Sequence, residues 1–155
     1  MDLPKTFLVV DDNADSRFLL VKTLLRKFPT AIIRECQECV DAVKIAQLDT
    51  LAAIVAHRAA DLDGISLIRE LRAANPKVII LMVSGLDRTE SAIRAGATCF
   101  LNYDEWLRVG SLVTDLLSRS AQAQAGRAGG GRGNLPPECN RPGIGQSKST
   151  PTANN

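Results

Sequence analysis

The chain has 155 residues, 45% of them hydrophobic and 23% charged, a length and balance that suit one globular domain with a two-layer or three-layer core. Its longest apolar runs, such as Val78 to Val83, are far too short to cross a bilayer, and its N-terminus has Asp2 early and no small-residue cleavage pattern, which leaves the cytoplasm as the expected location. The net charge of +2 divides into +4 from Arg119 onward, where five Lys and Arg face Glu138 alone, and −2 before it, so the folded part is mildly acidic and nucleic acid is not an expected partner.

In chain order, strands alternate with helices. Phe7 to Val10 is a four-residue apolar run that reads as a strand buried on both faces, and Asp11 and Asp12 stand where it runs out. Ala14 to Phe28 places Phe18, Val21, Leu25 and Phe28 on one helical stripe with Leu20 and Leu24 beside it, and Pro29 ends the helix. Ala31 to Cys36 is a second strand, Glu38 to Leu48 a shorter helix with Val40, Val43 and Ala46 inward, and Leu51 to Ala56 a third, fully apolar strand. Asp63-Gly64 opens a helix to about Ala74, with Asp63 as its expected cap, and Asn75-Pro76 forces a turn before the strand Val78 to Val83. Asp87 and Thr89 are candidate caps of a short helix ending at Gly96. Thr98 to Asn102 is the last strand and Glu105 to Ser118 the last helix, with Leu107, Leu112, Val113, Leu116 and Leu117 toward the core.

Five strands alternating with five helices imply right-handed crossovers, a parallel sheet and helices on both faces, a three-layer α/β/α architecture. Residues 5–118 make the expected domain. Residues 119–155 make the expected disordered tail, since Ala121 to Asn155 holds seven of the eleven glycines and four of the seven prolines against two large aliphatic residues, Leu135 and Ile144. Arg127 to Gly133 resembles arginine-glycine segments that touch RNA, but the arginines are few and no aromatic is interleaved, so a plain flexible extension is the better reading.

The order of elements, the acid pair after the first strand, Asp63-Gly64 opening the third helix, Ser84 ending the fourth strand and Gly96-Ala97 before the fifth resemble a response-regulator receiver domain over about Lys5 to Ser118. The resemblance implies a flavodoxin-like (βα)5 doubly wound sheet of order 2-1-3-4-5, with the ligand crevice at the switch point between the first and third strands. It also implies that Asp11 and Asp12 are the acids that bind Mg²⁺, and that Ser84 and Phe100 are the residues that follow phosphorylation in the family's switch.

A receiver takes a phosphoryl group from a histidine kinase onto an aspartate at the end of its third strand, while Mg²⁺ and a lysine neutralise the phosphoryl oxygens. Counting back from Asp63-Gly64 without gaps puts Ala56 at that aspartate's position, and one deletion in the following loop would put His57 there; neither is a carboxylate. Counting forward from Gly96-Ala97 puts Tyr103 at the lysine's position. Loss of one carboxylate and one lysine together leaves the formal charge unchanged, as expected of a site released from phosphotransfer. With one anionic ligand gone, Asp11 and Asp12 should make a weak Mg²⁺ site at most, and no cofactor is required. His57 and Arg58 are expected to offset the acids.

The competing motif is Cys36-Gln37-Glu38-Cys39, a C-x-x-C at a strand-to-helix junction where a redox pair would sit. Glu35 and Glu38 beside it would raise the thiol pKa, and Cys99 and Cys139 lie too far along the chain to complete a zinc set, so a structural reading is preferred. The expected function is therefore that of a stand-alone, atypical receiver in two-component signalling, not an enzyme, acting by phosphorylation-independent contact with a histidine kinase, another signalling protein or a second copy of itself. The alternative is a phosphate-accepting receiver that uses a displaced residue, Asp61 or Asp63. Tyr103 and Trp106, the only Tyr and Trp, are expected at the edge of the partner face.

Overall fold

The computed structural model describes residues 4–46, 49–57 and 64–125. Five strands, β1 (Thr6–Val10), β2 (Ile32–Cys36), β3 (Thr50–His57), β4 (Ile79–Ser84) and β5 (Cys99–Asn102), form one parallel sheet in the order β2-β1-β3-β4-β5. The helices between them are α1 (Ala14–Lys27), α2 (Cys39–Ile45), α3 (Gly64–Ala74) and α4 (Thr89–Ala95); a 3-10 turn, Tyr103–Arg108, leads from β5 into α5 (Val109–Ala125). Parallel crossovers join the strands, with the chain after β2 passing over β1 to reach β3, so β1, β3 and β4 are covered on both faces, which is why β1 and β4 are buried throughout and apolar except for Thr6 and Ser84.

Two apolar clusters flank the sheet. Phe7, Val9, Ile54, Ala56, Leu81 and Val83 pack with Leu20 and Leu24 of α1 and with Val109, Leu112, Val113 and Leu116 of α5. Leu8, Val10, Val55, Ile80 and Met82 pack with Ala42 of α2, with Leu67, Ile68 and Leu71 of α3 and with Ala92 and Ala95 of α4. The alternation of side chains along each strand sends successive residues to opposite clusters, giving the three layers.

Several local expectations need correction. In α1 the buried seam is Ser16, Leu20 and Leu24, while Phe18 is 57% exposed and Lys22 Nζ lies 5.1 Å from its ring centre. The apolar residues of α1 wrap most of its circumference, so periodicity alone did not fix which side faces the sheet. Phe28, just past the helix, reaches the core and meets Phe7 edge to face at 4.9 Å. Leu51 is 39% exposed because β1 and β3 slip by one residue there: Thr6 pairs with Thr50 and Phe7 with Ala52. The helix expected from Glu105 begins as a 3-10 turn instead, with Glu105 outside helical geometry at φ −101°. The Asn102 side chain accepts from the Asp104 N–H at 3.0 Å and starts that turn, which turns Leu107 outward and gives its place in the core to Val109. Finally, α5 runs to Ala125, past the expected boundary at Ser118, because Ala and Gln sustain a helix on an exposed face. Asp61, Asp63, Arg58 and the tail beyond Ala125 lie outside the described residues.

The cap at Gly96 is as the sequence leads one to expect. Its φ of +120° is open to glycine, and a Cβ there would lie 3.0 Å from Cγ of Arg72. The Arg72 guanidinium donates to the Gly96 carbonyl at 3.0 Å, to the Pro76 carbonyl at 2.9 Å and to Thr98 Oγ1 at 3.3 Å, tying the end of α3 to the α4–β5 turn. Burial lowers its pKa. Asp87 does not cap α4 at the N-cap position; its Oδ1 accepts from the Thr89 N–H at 3.2 Å and from Thr89 Oγ1 at 2.8 Å, a turn just ahead of the helix.

Candidate functional site

The carboxyl ends of β1, β3 and β4 bring Asp11, Asp12, Ala56 and Ser84 to one edge of the sheet, with Tyr103 just past the end of β5. Val10 pairs with Val55, so the next step along both strands sets Asp11 level with Ala56. Ala56 in turn pairs with Val83, and His57 pairs with Ser84. Ala56 is fully buried within the α1/α5 cluster, and Tyr103 is half-buried against the same cluster.

The two acids differ. Asp12 is exposed, whereas Asp11 has no solvent exposure at all. Asp11 is fixed through both main chain and side chain. Its N–H donates to the Cys36 carbonyl at 3.0 Å, and its carbonyl accepts from Arg17 Nη1 at 2.7 Å. One carboxylate oxygen accepts from the Asn13 N–H at 2.9 Å and the other accepts from the Ser16 hydroxyl. Asn13 is at once the N-cap of α1, its side chain accepting from the Ser16 N–H at 2.9 Å. The cap therefore turns the first helical turn so that Ser16 faces back toward the strand end. Burial pushes the Asp11 pKa up, the bonds from Ser16 and Asn13 oppose that, and the charge of Asp12 adds to it.

Ser16 and Arg17 were not among the residues the sequence singled out. The readable signal is their spacing: five and six residues after Asp11, with a capping Asn between, one helical turn returns their side chains to the acid. Arg17 also pairs with Glu35 at 3.1 Å, so Arg17 brings a cation beside Asp11, while the expected Arg58 lies outside the described residues.

The residues present do not fit a tightly held divalent cation. A hard cation needs several open oxygens. Asp11 has each carboxylate oxygen engaged and no surface open to water, and Ala56, level with it, carries no donor. Among the described residues no group of three or more His, Cys, Asp or Glu side chains is placed to hold a metal ion.

Ser84 is fully buried and its Oγ accepts from the Leu86 N–H at 3.2 Å; Phe100 is 9% exposed and packs in the α2/α3/α4 cluster. Trp106 is half-buried and, like Tyr103, packs against the α1/α5 cluster. Cys36 is buried, its thiol donates to the Glu38 carbonyl at 2.9 Å, and burial pushes its pKa up, the reverse of what a reactive thiolate needs.

No protein-family model matches the chain. The transcriptional regulatory protein ZraR of Escherichia coli K12 is 30% identical over 98 residues, 62% of this chain; the chain spans 22% of the length of that relative. A response regulator protein from Burkholderia pseudomallei, solved with a phosphorylated aspartic acid, calcium ion and citrate, superposes with a TM-score of 0.63 at 26% identity, covering 80% of this chain and 73% of that one. The receiver domain of AraT from Geobacillus stearothermophilus gives a TM-score of 0.66 at 19% identity over 79% of this chain and 99% of that one. Among the described residues no helix is long and apolar enough to cross a membrane. With five parallel strands in the order 2-1-3-4-5 and an acid pair at the end of β1, the chain has the flavodoxin-like fold of the receiver domains of two-component response regulators.

Proposed function

We propose that this chain is a receiver-type signalling module that works by protein contact and carries no phosphoryl group of its own. The observation that supports this best is Ala56, fully buried and level with Asp11 at the carboxyl end of β3. A methyl group cannot attack phosphorus, and a position without exposure has no room for the phosphoryl oxygens. Tyr103 at the position of the family's lysine adds to it, since a neutral phenol cannot neutralise a transferred phosphate.

The partner is a histidine kinase, another signalling protein or a second copy of this chain. Ser84 and Phe100 stand at the positions that follow phosphorylation in the family, and here no phosphoryl group biases them. A two-state element without a biasing ligand rests in the state its own packing prefers. The face made by α4, β5 and α5 then holds one arrangement permanently and is read as such by its partner, with Tyr103 and Trp106 at its edge.

The test is incubation with Mg²⁺ and acetyl phosphate followed by intact-mass measurement. No added phosphoryl mass is expected. A phosphoryl adduct that maps to Asp61 or Asp63, and is lost when that residue becomes Asn, overturns the reading in favour of a displaced acceptor.

A further inference from the structure

We infer that Ser16 takes the place of a divalent cation in this site, so that the acid pair is closed to metal from within. A receiver-type acid pair has a standing electrostatic problem, because Asp11 is buried beside a second carboxylate, Asp12. A cation would solve it from outside by coordinating the oxygens and cancelling charge. This chain solves it from inside with its own donors, the two on the carboxylate being neutral. The Ser16 hydroxyl and the Asn13 N–H each satisfy one oxygen of Asp11, and Arg17 holds the Asp11 carbonyl at 2.7 Å while its other edge engages Glu35.

Ser16 is suited to the task by its burial and its place in the helix. Only 2% of it is exposed, it belongs to the seam of α1 that faces the sheet, and its own N–H is held by the cap residue Asn13. The hydroxyl is therefore aimed by the first turn of α1 and has no solvent to compete for it. A cation seeking that Asp11 oxygen would first have to break the Ser16 bond and would gain no ligand from Ala56 in return. Asp12 alone remains open, and one exposed carboxylate does not hold Mg²⁺ against water. Ser16 is a positioning residue, and its presence explains how Asp11 stays buried beside Asp12 without a cation.

The inference concerns the same site as the proposed function but is read by a different measurement. Calorimetric titration with MgCl₂ in mildly alkaline buffer compares the native chain, Ala56→Asp, and Ala56→Asp combined with Ser16→Ala. The native chain should give no binding isotherm and no rise in melting temperature with Mg²⁺. Ala56→Asp should bind weakly, and the double variant roughly tenfold more tightly, since a freed hydrogen-bond site on a charged group is worth about 1.5 kcal/mol. Ser16→Thr on the Ala56→Asp background keeps the hydroxyl and should match Ala56→Asp alone. Any isotherm from the native chain overturns the inference, whether or not the Ser16→Ala chain folds, and so does a double variant no tighter than Ala56→Asp. Native Mg²⁺ binding without a phosphoryl adduct sinks this inference and spares the proposed function, whereas an adduct on a chain that shows no Mg²⁺ isotherm does the reverse.

Discussion

Gly110 in α5 lies against the carbonyl oxygen of Thr23 in α1, so close that a Cβ built on it would stand 2.6 Å from that oxygen and 2.9 Å from Cγ of Lys27. The obstacle is backbone and cannot rotate away. Thr114 further uses the Gly110 carbonyl as acceptor for its hydroxyl at 2.8 Å, so the same residue joins α5 to itself and to α1. Gly110→Ala should therefore destabilise the fold by about 1–3 kcal/mol, overpacking outweighing the helix propensity that Ala gains over Gly. Urea denaturation measures it; a variant as stable as the native chain would mean that the two helices separate at no cost.

The burial pattern of α1 and of the turn before α5 gives a second comparison. Phe18 and Leu107 are 57% and 64% exposed, while Leu20 is 1% exposed in the core. Phe18→Ser and Leu107→Ser should each change stability by no more than about 0.5 kcal/mol. Leu20→Ala should cost about 2–5 kcal/mol, through lost apolar transfer and the cavity left behind. The reverse order in a denaturation series would restore the helical stripe through Phe18 as the buried one.

Asp11 makes stability depend on pH in a definite direction. Its folded-state pKa is raised by burial, so the folded chain holds a proton more tightly than the unfolded one. The contribution is fully present below the unfolded carboxylate pKa and is lost as pH rises through the folded value. Asp11→Asn keeps the shape and removes that titration, so the variant should gain on the native chain as pH rises from the acid range toward neutrality. Melting temperatures of both chains across that range check the sign; a native chain that gains on Asp11→Asn with rising pH would mean that the bonds from Ser16 and Asn13 outweigh burial.

Tyr103 and Trp106 carry the expected partner contact. Both are half-buried against the α1/α5 cluster, whose own core includes Val109 and Leu112. Tyr103→Ala or Trp106→Ala should weaken self-association or kinase binding while leaving the circular dichroism of the fold intact. Sedimentation velocity and pulldown with a purified kinase read the first, a thermal melt the second. Full binding by both variants, or simple unfolding of Trp106→Ala, would place the contact elsewhere.

Much of this molecule is legible without coordinates because its signals are local. The apolar runs Phe7 to Val10 and Val78 to Val83, short and rich in β-branched residues, read as strands covered on both sides, the breakers Pro29, Asn75-Pro76 and Gly96 mark where elements stop, and alternation of strand and helix leaves few topologies. The order 2-1-3-4-5 followed from those elements together with the resemblance they carry. What tertiary structure alone decided is which side of an ambiguous helix is buried and which neutral groups answer a charge. Phe18 and Leu20 look equally apolar in sequence, and only the approach of α5 at Gly110 and of the sheet at Leu20 separates them. Ser16 looks like any helix serine. Spacing after Asp11 brings it within reach of the acid, but its role exists because the Asn13 cap sets the first turn of α1 against a strand end, a matter of hydrogen-bond direction in three dimensions.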